Sequence, residues 1–480
     1  MPEPTPTVFM QEQAGELWIR CPTLLAYHTI TNFLTFHRKI GTGRSRCPEY
    51  CYHPWPGVPF GLVCSPGFRE MMFEHFEKKF AFRYQVESQE PQPATSIASE
   101  TISSISFRPG QKEILEKMFA NDRGRILVPP AVGKSFLIAR YAEIRSQERI
   151  VITTFSRSVL LQLYENIRRN LGDEIGLMTS GRTDRPDARV VCVGQKKLAR
   201  FLAEQSSARI ETVVIDEFHE WGTKRILTLL EQLPPCKRFG LSASRSRTDG
   251  AEFRLAGLLG PVLADMEYGE AARRKLVTPI EVVWVPFQTL VESADMISDR
   301  ADRERSLIWR HSARNRTVAK IARSFGDQEQ VLISVRTIEH AIALQEILPD
   351  FTIVHASKRN AFGPSRTFMT PGRLEILRSQ FATGTLKKAI ATGVWSRGVD
   401  FPELRVLVRA DAMNSCIADL QWPGRTARTR SGKDRSLIFD FSDEHDPILA
   451  ERARQRADRY EQQGFRQLVE LRKMPDSDIL

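Results

Sequence analysis

Hydrophobic positions along this chain come in short runs, and the runs keep the same rhythm twice. Between residues 105 and 265, apolar stretches at 125–128, 150–153, 190–193, 212–215 and 239–242 read as strands. The segments 134–144 and 159–168 place their apolar residues at helical spacing instead. Unbroken apolar strands separated by helices predict a parallel sheet covered on both faces, because such strands have no side left for water. The rhythm restarts near residue 315, with strand runs at 331–334, 351–354, 388–391, 406–408 and 436–439 and helices opening at Ile338, Pro371 and Ile417. The expected fold is α/β, with two tandem parallel-sheet lobes at 105–265 and 301–446 joined by a connector at 266–300. Ahead of them, 89–104 carries Pro, Ser, Thr and Glu without apolar periodicity and reads as a linker. Residues 1–88 form a small α+β module with Trp18, Phe33, Phe36, Trp55 and Phe60 as its aromatic positions. A charged helical extension, 447–480, ends the reading.

Length agrees with several domains, since 480 residues exceed what one core organises. No stretch approaches the roughly 18 apolar residues that span a bilayer, so no membrane is expected as a partner. The Pro-rich first 20 residues, with Glu12 and Glu16, do not make a signal peptide. Seven cysteines, odd in number and scattered, point to a reducing, cytoplasmic setting. Lys and Arg outnumber Asp and Glu by 69 to 58, a net charge of +11 that suits a polyanionic partner. Residues 17–69 hold Arg20, Arg38, Lys39, Arg44, Arg46 and Arg69 against one acid, Glu49, with aromatics interleaved. That pattern reads either as a nucleic-acid grip or as the solvated surface of a docking module. Cys47, Cys51, His53 and Cys64 are of zinc-ligand type, but their irregular spacing argues against zinc. The acid-free loop 355–373, with Lys358, Arg359, Arg366 and Arg373, is a further candidate for touching a second strand.

The chemistry begins at 128–135, Val-Pro-Pro-Ala-Val-Gly-Lys-Ser. Val128 stands where the strict phosphate-loop pattern has its first glycine, but Gly133, Lys134 and Ser135 keep the working part. The glycine lets backbone N–H groups face phosphate, the lysine reaches the β/γ oxygens, and the serine hydroxyl sits on a metal at a helix start that favours anions. Pro130, Ala131 and Val132 complete the loop, although Pro130 has no N–H to donate. A second apolar run ends in Asp216-Glu217-Phe218-His219. One carboxylate for Mg²⁺ and another for the attacking water are the remaining parts of ATP hydrolysis.

With these motifs in order, the chain resembles the superfamily 2 helicases and translocases over residues 105–445. The lobes are then expected to be RecA-like. Phe107, Arg108 and Gln111 resemble the adenine-reading element. Asp216 to His219 matches the DExH box, with Ser135 and Asp216 holding Mg²⁺, Glu217 activating water, and His219 linking onward. Ser242-Ala243-Ser244 resembles the motif that couples hydrolysis to movement. In the second lobe, Gly398 and Asp400 close a nucleotide-facing motif, and Gln421 opens a Q-x-x-G-R-x-x-R pattern with Arg425 and Arg428. Three apart on an expected helix start, these arginines would point the same way, with Arg428 as the finger on γ-phosphate and Arg425 as its neighbour. Thr154, Phe155, Ser156, Arg157, Gln195, Lys196 and Thr392 are candidates for tracking a nucleic-acid backbone.

The likeness is to phage UvsW-like and XPB-type members. It rests on Arg314-Asn315, the Arg245 to Gly250 turn, and the tail Asp440-Phe441-Ser442-Asp443. It implies a DNA helicase or translocase working as a monomer on duplex or branched DNA, in a bacterial or phage-infected cell. An RNA helicase and a motor subunit or scaffold of a defence or restriction complex are the alternatives.

Overall fold

The computed structural model describes residues 7–39, 46–77, 83–87, 106–204, 209–243, 250–288, 299–356, 369–396, 401–415, 418–430 and 432–468. Contacts divide the chain into two compact units. The first runs to Asp265 apart from four residues of the phosphate loop, and the second runs from Met266.

The first unit opens with the N-terminal module, β1 (Thr7–Gln13), β2 (Glu16–Arg20), α1 (Leu24–Phe33), β3 (Thr35–Lys39), β4 (Arg46–Tyr50), β5 (Tyr52–Pro54), β6 (Gly61–Cys64), α2 (Phe68–Glu77) and β7 (Arg83–Glu87). Its sheet has the order β5-β6-β2-β1-β7, with β3 and β4 as a separate ribbon. Alternate residues of β1 and β2 point inward, so Val8, Met10, Leu17 and Ile19 are fully or almost fully buried. Thr23 opens α1 by accepting the N–H of Ala26.

The first lobe follows as α3 (Gln111–Ala120), β8 (Arg123–Leu127), α4 (Lys134–Ile144), β9 (Ile150–Thr154), α5 (Arg157–Leu171), β10 (Ile175–Thr179), β11 (Arg182–Asp184), β12 (Val190–Gly194), α6 (Gln195–Glu204), β13 (Thr212–Asp216), α7 (Lys224–Glu231), β14 (Lys237–Ser242), α8 (Glu252–Leu259) and β15 (Val262–Asp265). The sheet order is β11-β10-β12-β9-β13-β14-β8-β15, parallel except for β11 against β10. The N-terminal module docks on this lobe through α8. Phe253 packs against Phe68, Phe33 and Phe36 at ring separations of 5.1, 5.5 and 6.1 Å. Gly257 makes room for Phe68, whose ring would lie 2.1 Å from a Cβ there. Burying one such phenylalanine contributes about 1.5–3 kcal/mol.

The second unit contains α9 (Tyr268–Arg273), β16 (Ile280–Val285), α10 (Arg300–Glu304), α11 (Ser312–Arg323), β17 (Val331–Ser334), α12 (Ile338–Gln345), β18 (Thr352–Val354), α13 (Pro371–Ala382), β19 (Lys388–Ala391), β20 (Val406–Arg409), α14 (Ala418–Gly424), β21 (Ser436–Phe441), α15 (Pro447–Gln462) and β22 (Arg466–Leu468). Its sheet, β18-β19-β17-β20-β21-β16-β22, is parallel throughout.

Two stretches do more than their sequence reading assigned them. The connector 266–300 supplies β16 to this sheet, and the C-terminal extension supplies β22 after its helix. The β16 sequence IEVVWV carries a strand signal that the division into lobes and connector passed over. β22 is short and charged because it lies at an edge, where one rim faces water. Among the described residues no helix is long and apolar enough to cross a membrane.

Candidate active site

The parallel register of the first lobe brings strand ends together on one rim. Gly194 of β12 and Asp216 of β13 both pair with Thr154 of β9, Asp216 pairs in turn with Leu241 of β14, and Ser242 pairs with Leu127 of β8. Open α/β sheets bind ligands at this carboxyl edge, where loops leave the strands and helix N-termini point outward. The phosphate loop leaves β8 and the acidic pair leaves β13. Residues far apart in sequence therefore share one edge because the strands carrying them are in register.

On that rim Lys134 Nζ donates to Glu217 Oε1 at 2.6 Å. The other carboxylate oxygen of Glu217 lies 3.3 Å from His219 Nδ1, which sits 2.7 Å from Ser242 Oγ. A continuous polar path thus joins the phosphate-loop lysine to the end of β14. Glu217 holds a left-handed backbone, φ 51°, which costs a non-glycine residue about 1–2 kcal/mol. Asp216 is buried, and its Oδ1 has no hydrogen-bond partner among the described residues. Burial, and then the negative charge of Glu217, push its carboxyl up to about 7, while Lys134 pulls the other way. An acid so poorly compensated suits a cation, which would supply the missing charge and fill the empty acceptor.

Gly133 precedes α4 with φ 109°, and no side chain caps the helix. A Cβ at this position would lie 2.6 Å from Gln111 Nε2, so the loop needs glycine here. Gln111 is buried, and its Oε1 accepts the N–H of Arg108 at 3.0 Å. Phe107 packs edge-on to Phe136 of α4 at 6.0 Å. The adenine-reading candidates Phe107 and Gln111 therefore pack against α4 and the glycine that precedes it. Ala131 has φ 69°, Val132 is buried, and Pro130 and Ser135 are half-buried.

Among the nucleic-acid candidates on the same rim, Thr154 is buried, Ser156 and Gln195 are half-buried, and Phe155, Arg157 and Lys196 are exposed. Ser156 makes no capping bond to α5 and sits 2.9 Å from Ser158 Oγ instead, so its hydroxyl does not close that helix N-terminus. In the N-terminal module the basic positions are partly committed to the fold. Arg38 pairs with Glu49 at 3.2 Å and donates to the carbonyl of Gly222, and Arg69 pairs with Glu70 at 2.7 Å. Arg20 lies over the Phe9 ring at 5.0 Å. Cys64 and Cys21 are buried, and burial pushes the Cys21 thiol up to about 12.

In the second unit, Gln421 is buried on α14 and Thr392 leaves β19, its N–H bonded to the carbonyl of Val354 at 3.0 Å. Arg425 and Arg428 do not stand on a helix start, as their spacing suggested. α14 contains Pro423 and ends at Gly424, and the chain leaves it through turns from Trp422 to Arg425 and from Pro423 to Thr426. Arg425 Nε donates to the carbonyl of Ser396 at 3.1 Å. Ser244, Gly398 and Asp400 lie outside the described residues, as do 245–249 of the Arg245 to Gly250 turn and Arg44, Lys358, Arg359 and Arg366.

Two motifs noted separately in the sequence meet here. Arg314 and Asp443 form a fully buried two-pronged pair at 2.8 and 3.1 Å. A larger buried network joins Arg409, Asp411, Asp419, Asp440, Arg456 and Tyr460, of which the sequence singles out only Asp440, in the tail motif. Its members come from four elements and the loop after β20, brought together only by folding.

Comparison with known proteins agrees with this geometry. Residues 104–247 match the family "Type III restriction enzyme, res subunit", and 313–430 match "Helicase conserved C-terminal domain". The chain is 22% identical over 449 residues to the ATP-dependent DNA helicase uvsW of Enterobacteria phage T4, covering 87% of each chain. It is 22% identical over 365 residues to the DNA 3'-5' translocase XPB2 of Sulfurisphaera tokodaii, covering 70% of this chain and 81% of that one. A shorter match, 28% over 255 residues, is to Putative helicase 22 of Sulfolobus islandicus filamentous virus. It covers 50% of this chain, which spans less than half of that relative, 44%. In fold, it is similar to S. cerevisiae Dbp5 bound to RNA and ADP BeF3, with a TM-score of 0.55 and 14% identity over 77% of this chain and 92% of that one.

Two parallel-sheet lobes carrying these two domains define an ATP-hydrolysing enzyme of the helicase class. The chain carries both domains in order and is similar to superfamily 2 helicases, among them UvsW-like and XPB-like members. Such enzymes use ATP with Mg²⁺ and act on nucleic acid.

Proposed function

We propose that this chain is an ATP-driven motor that remodels duplex or branched DNA in replication, recombination or repair, working as a monomer. The observation that carries the reading is the path from Lys134 through Glu217 and His219 to Ser242, beside the under-compensated Asp216. Without nucleotide, Lys134 neutralises Glu217. An arriving γ-phosphate competes for the same ammonium, which releases Glu217 to orient the attacking water. His219 senses that release at 3.3 Å and passes it to Ser242 at the end of β14.

Asp216 and Ser135 would hold Mg²⁺, which when bound neutralises charge on the phosphate oxygens. Gln111, with Phe107 and Arg108, reads the adenine, while Arg425 and Arg428 offset the charge that develops on the γ-phosphate. Phe155, Arg157 and Lys196 supply exposed contacts to the nucleic-acid backbone, so binding weakens steeply as salt rises. The relatives named for DNA favour DNA over RNA as the track.

The test is ATP turnover with single-stranded, duplex, forked and RNA substrates at two salt concentrations. Forked or duplex DNA is expected to stimulate most, and RNA stimulating equally would overturn the choice of DNA. In the same assay Lys134→Ala and Glu217→Gln should abolish turnover, since each removes a part that the hydrolysis needs. Wild-type turnover in either variant would sink the site assignment.

A further inference from the structure

The helix that delivers the arginine-rich segment is poorly built to hold it. α14 spans seven residues, contains Pro423, and is followed at once by Arg425. Proline donates no N–H and crowds the preceding turn, so the helix has little stiffness of its own.

Its fixed point is Asp419, whose carboxylate is fully buried. Arg409, at the end of β20, donates to Asp419 Oδ1 at 2.7 Å, and Arg459 of α15 donates from Nε to Oδ2 at 2.7 Å. Arg459 also donates to Asn414 Oδ1. α15 is itself locked to the sheet, because Arg456 grips Asp440 of β21 at 2.9 and 3.1 Å. The Tyr460 hydroxyl donates to the same carboxylate at 2.8 Å and accepts from Arg409 at 2.6 Å. Beyond the helix the backbone is pinned again. The carbonyl of Thr426 accepts from Ser436 Oγ at 2.7 Å, and that of Arg428 accepts from Thr278 Oγ1 at 2.8 Å. The segment is thus fixed at both ends through atoms other than its guanidinium groups.

We propose that Arg459, acting through Asp419, is a positioning residue for Arg425 and Arg428, with α15 as the strut that sets where those guanidinium groups stand during hydrolysis. The proposal rests on reading Arg425 and Arg428 as the cations that serve the γ-phosphate. Placement of this kind matters because a misplacement of about 1 Å can cost about 100-fold in rate. Arg459 is the residue to change. Its side chain is 20% exposed, whereas Arg409 and Asp419 are wholly enclosed and their loss would strand buried charge.

The experiment compares full-length wild type, Arg459→Ala, Arg459→Lys and Arg428→Ala for DNA-stimulated ATP turnover, for DNA affinity without ATP, and by thermal melting. Arg459→Ala is expected to lower kcat by about 10- to 100-fold, with KM for ATP and DNA affinity unchanged and the protein folded. Arg459→Lys should restore part of the rate, because it supplies the charge without the two-pronged geometry. An unchanged kcat in Arg459→Ala overturns the proposal. So does a rate loss that tracks lost folded protein, or one that lysine does not relieve. If Arg459→Ala does not fold, Arg459→Gln, which keeps much of the stem and loses the charge, is read in the same way. Full activity in Arg428→Ala would instead overturn the reading of the arginines, a separate failure.

Discussion

The two lobes share one architecture and treat charge in opposite ways. In the first, charged groups gather on the carboxyl rim of the sheet, and one of them, Asp216, is left short of a partner. Asp216 is buried with an unbonded oxygen, and Glu217 holds a strained backbone to reach Lys134. In the second, charges are drawn inside and matched. Arg409 meets Asp411 at 2.8 Å and Asp419 at 2.7 Å, Arg456 meets Asp440, and Arg314 meets Asp443, all of them essentially out of contact with solvent. Burial alone would raise the Asp411 carboxyl, but the charge and hydrogen bond of Arg409 hold it below the usual range. Under-satisfied charge is what a ligand site needs, since the ligand completes it. Satisfied buried charge fixes geometry, since any displacement leaves an ion unpaired.

The sharpest way to break the comparison is to unmatch the second lobe. Arg409→Ala leaves Asp411 and Asp419 enclosed without their shared cation, and should cost about 3–5 kcal/mol in urea unfolding. Lys134→Ala should cost much less, because Glu217 is 24% exposed and can turn toward water. Equal losses would mean that the two lobes do not differ in the way described.

Much of this arrangement was legible in the sequence, and the reason is local. The helix Lys134–Ile144 and the strands Val331–Ser334 and Lys388–Ala391 declare themselves in runs of a few residues, because buried parallel strands must be apolar on both faces. Gly133-Lys134-Ser135 and Asp216-Glu217 stand out for a similar reason, since each is a run of sequence neighbours, and folding brings Lys134 within 2.6 Å of Glu217. The edge strands β11, β15 and β22 were not legible, because exposed edges carry no such constraint, and the buried β10 was missed as well, its apolar run broken by Gly176 and Thr179. The position of Arg425 and Arg428 was misread from spacing alone, although Pro423 and Gly424 beside them are the residues that end the helix. The Arg409 network was not legible as a unit, because its members lie on β20, the loop after it, α14, β21 and α15 with no common local pattern.

A gentler test sharpens the first half of the comparison. Asp216 in the folded protein titrates near 7, against about 3.9 for an unfolded aspartate. The folded state therefore holds more protons across that window, and the sign follows. Stability from protonated Asp216 is full below about pH 4 and is lost as pH rises through about 7. Melts with chelator and without nucleotide should show the wild type losing a few degrees more than Asp216→Asn over this range. Mg²⁺ should recover that loss in the wild type by favouring the ionised form. Parallel curves for the two proteins would show that the acid is not held up by burial.

The smallest expected effect concerns backbone strain at two residues that are held differently. Asp443 has φ 48°, and its side chain is clamped by two bonds from Arg314, so an ion pair secures this left-handed residue. Ala131 has φ 69° in the phosphate loop, and a methyl group offers no such clamp. Left-handed backbone costs alanine about 1–2 kcal/mol, and glycine adopts it freely. Glycine also loses more chain entropy on folding, which returns part of that gain. Ala131→Gly should therefore raise stability by no more than about 1 kcal/mol, seen as a small rise in melting temperature. Asp443→Gly should lower stability, because it relieves the same strain but leaves Arg314 buried without its carboxylate. A fall in melting temperature for Ala131→Gly would mean that the loop does not hold the left-handed turn, and the contrast with Asp443 would go with it.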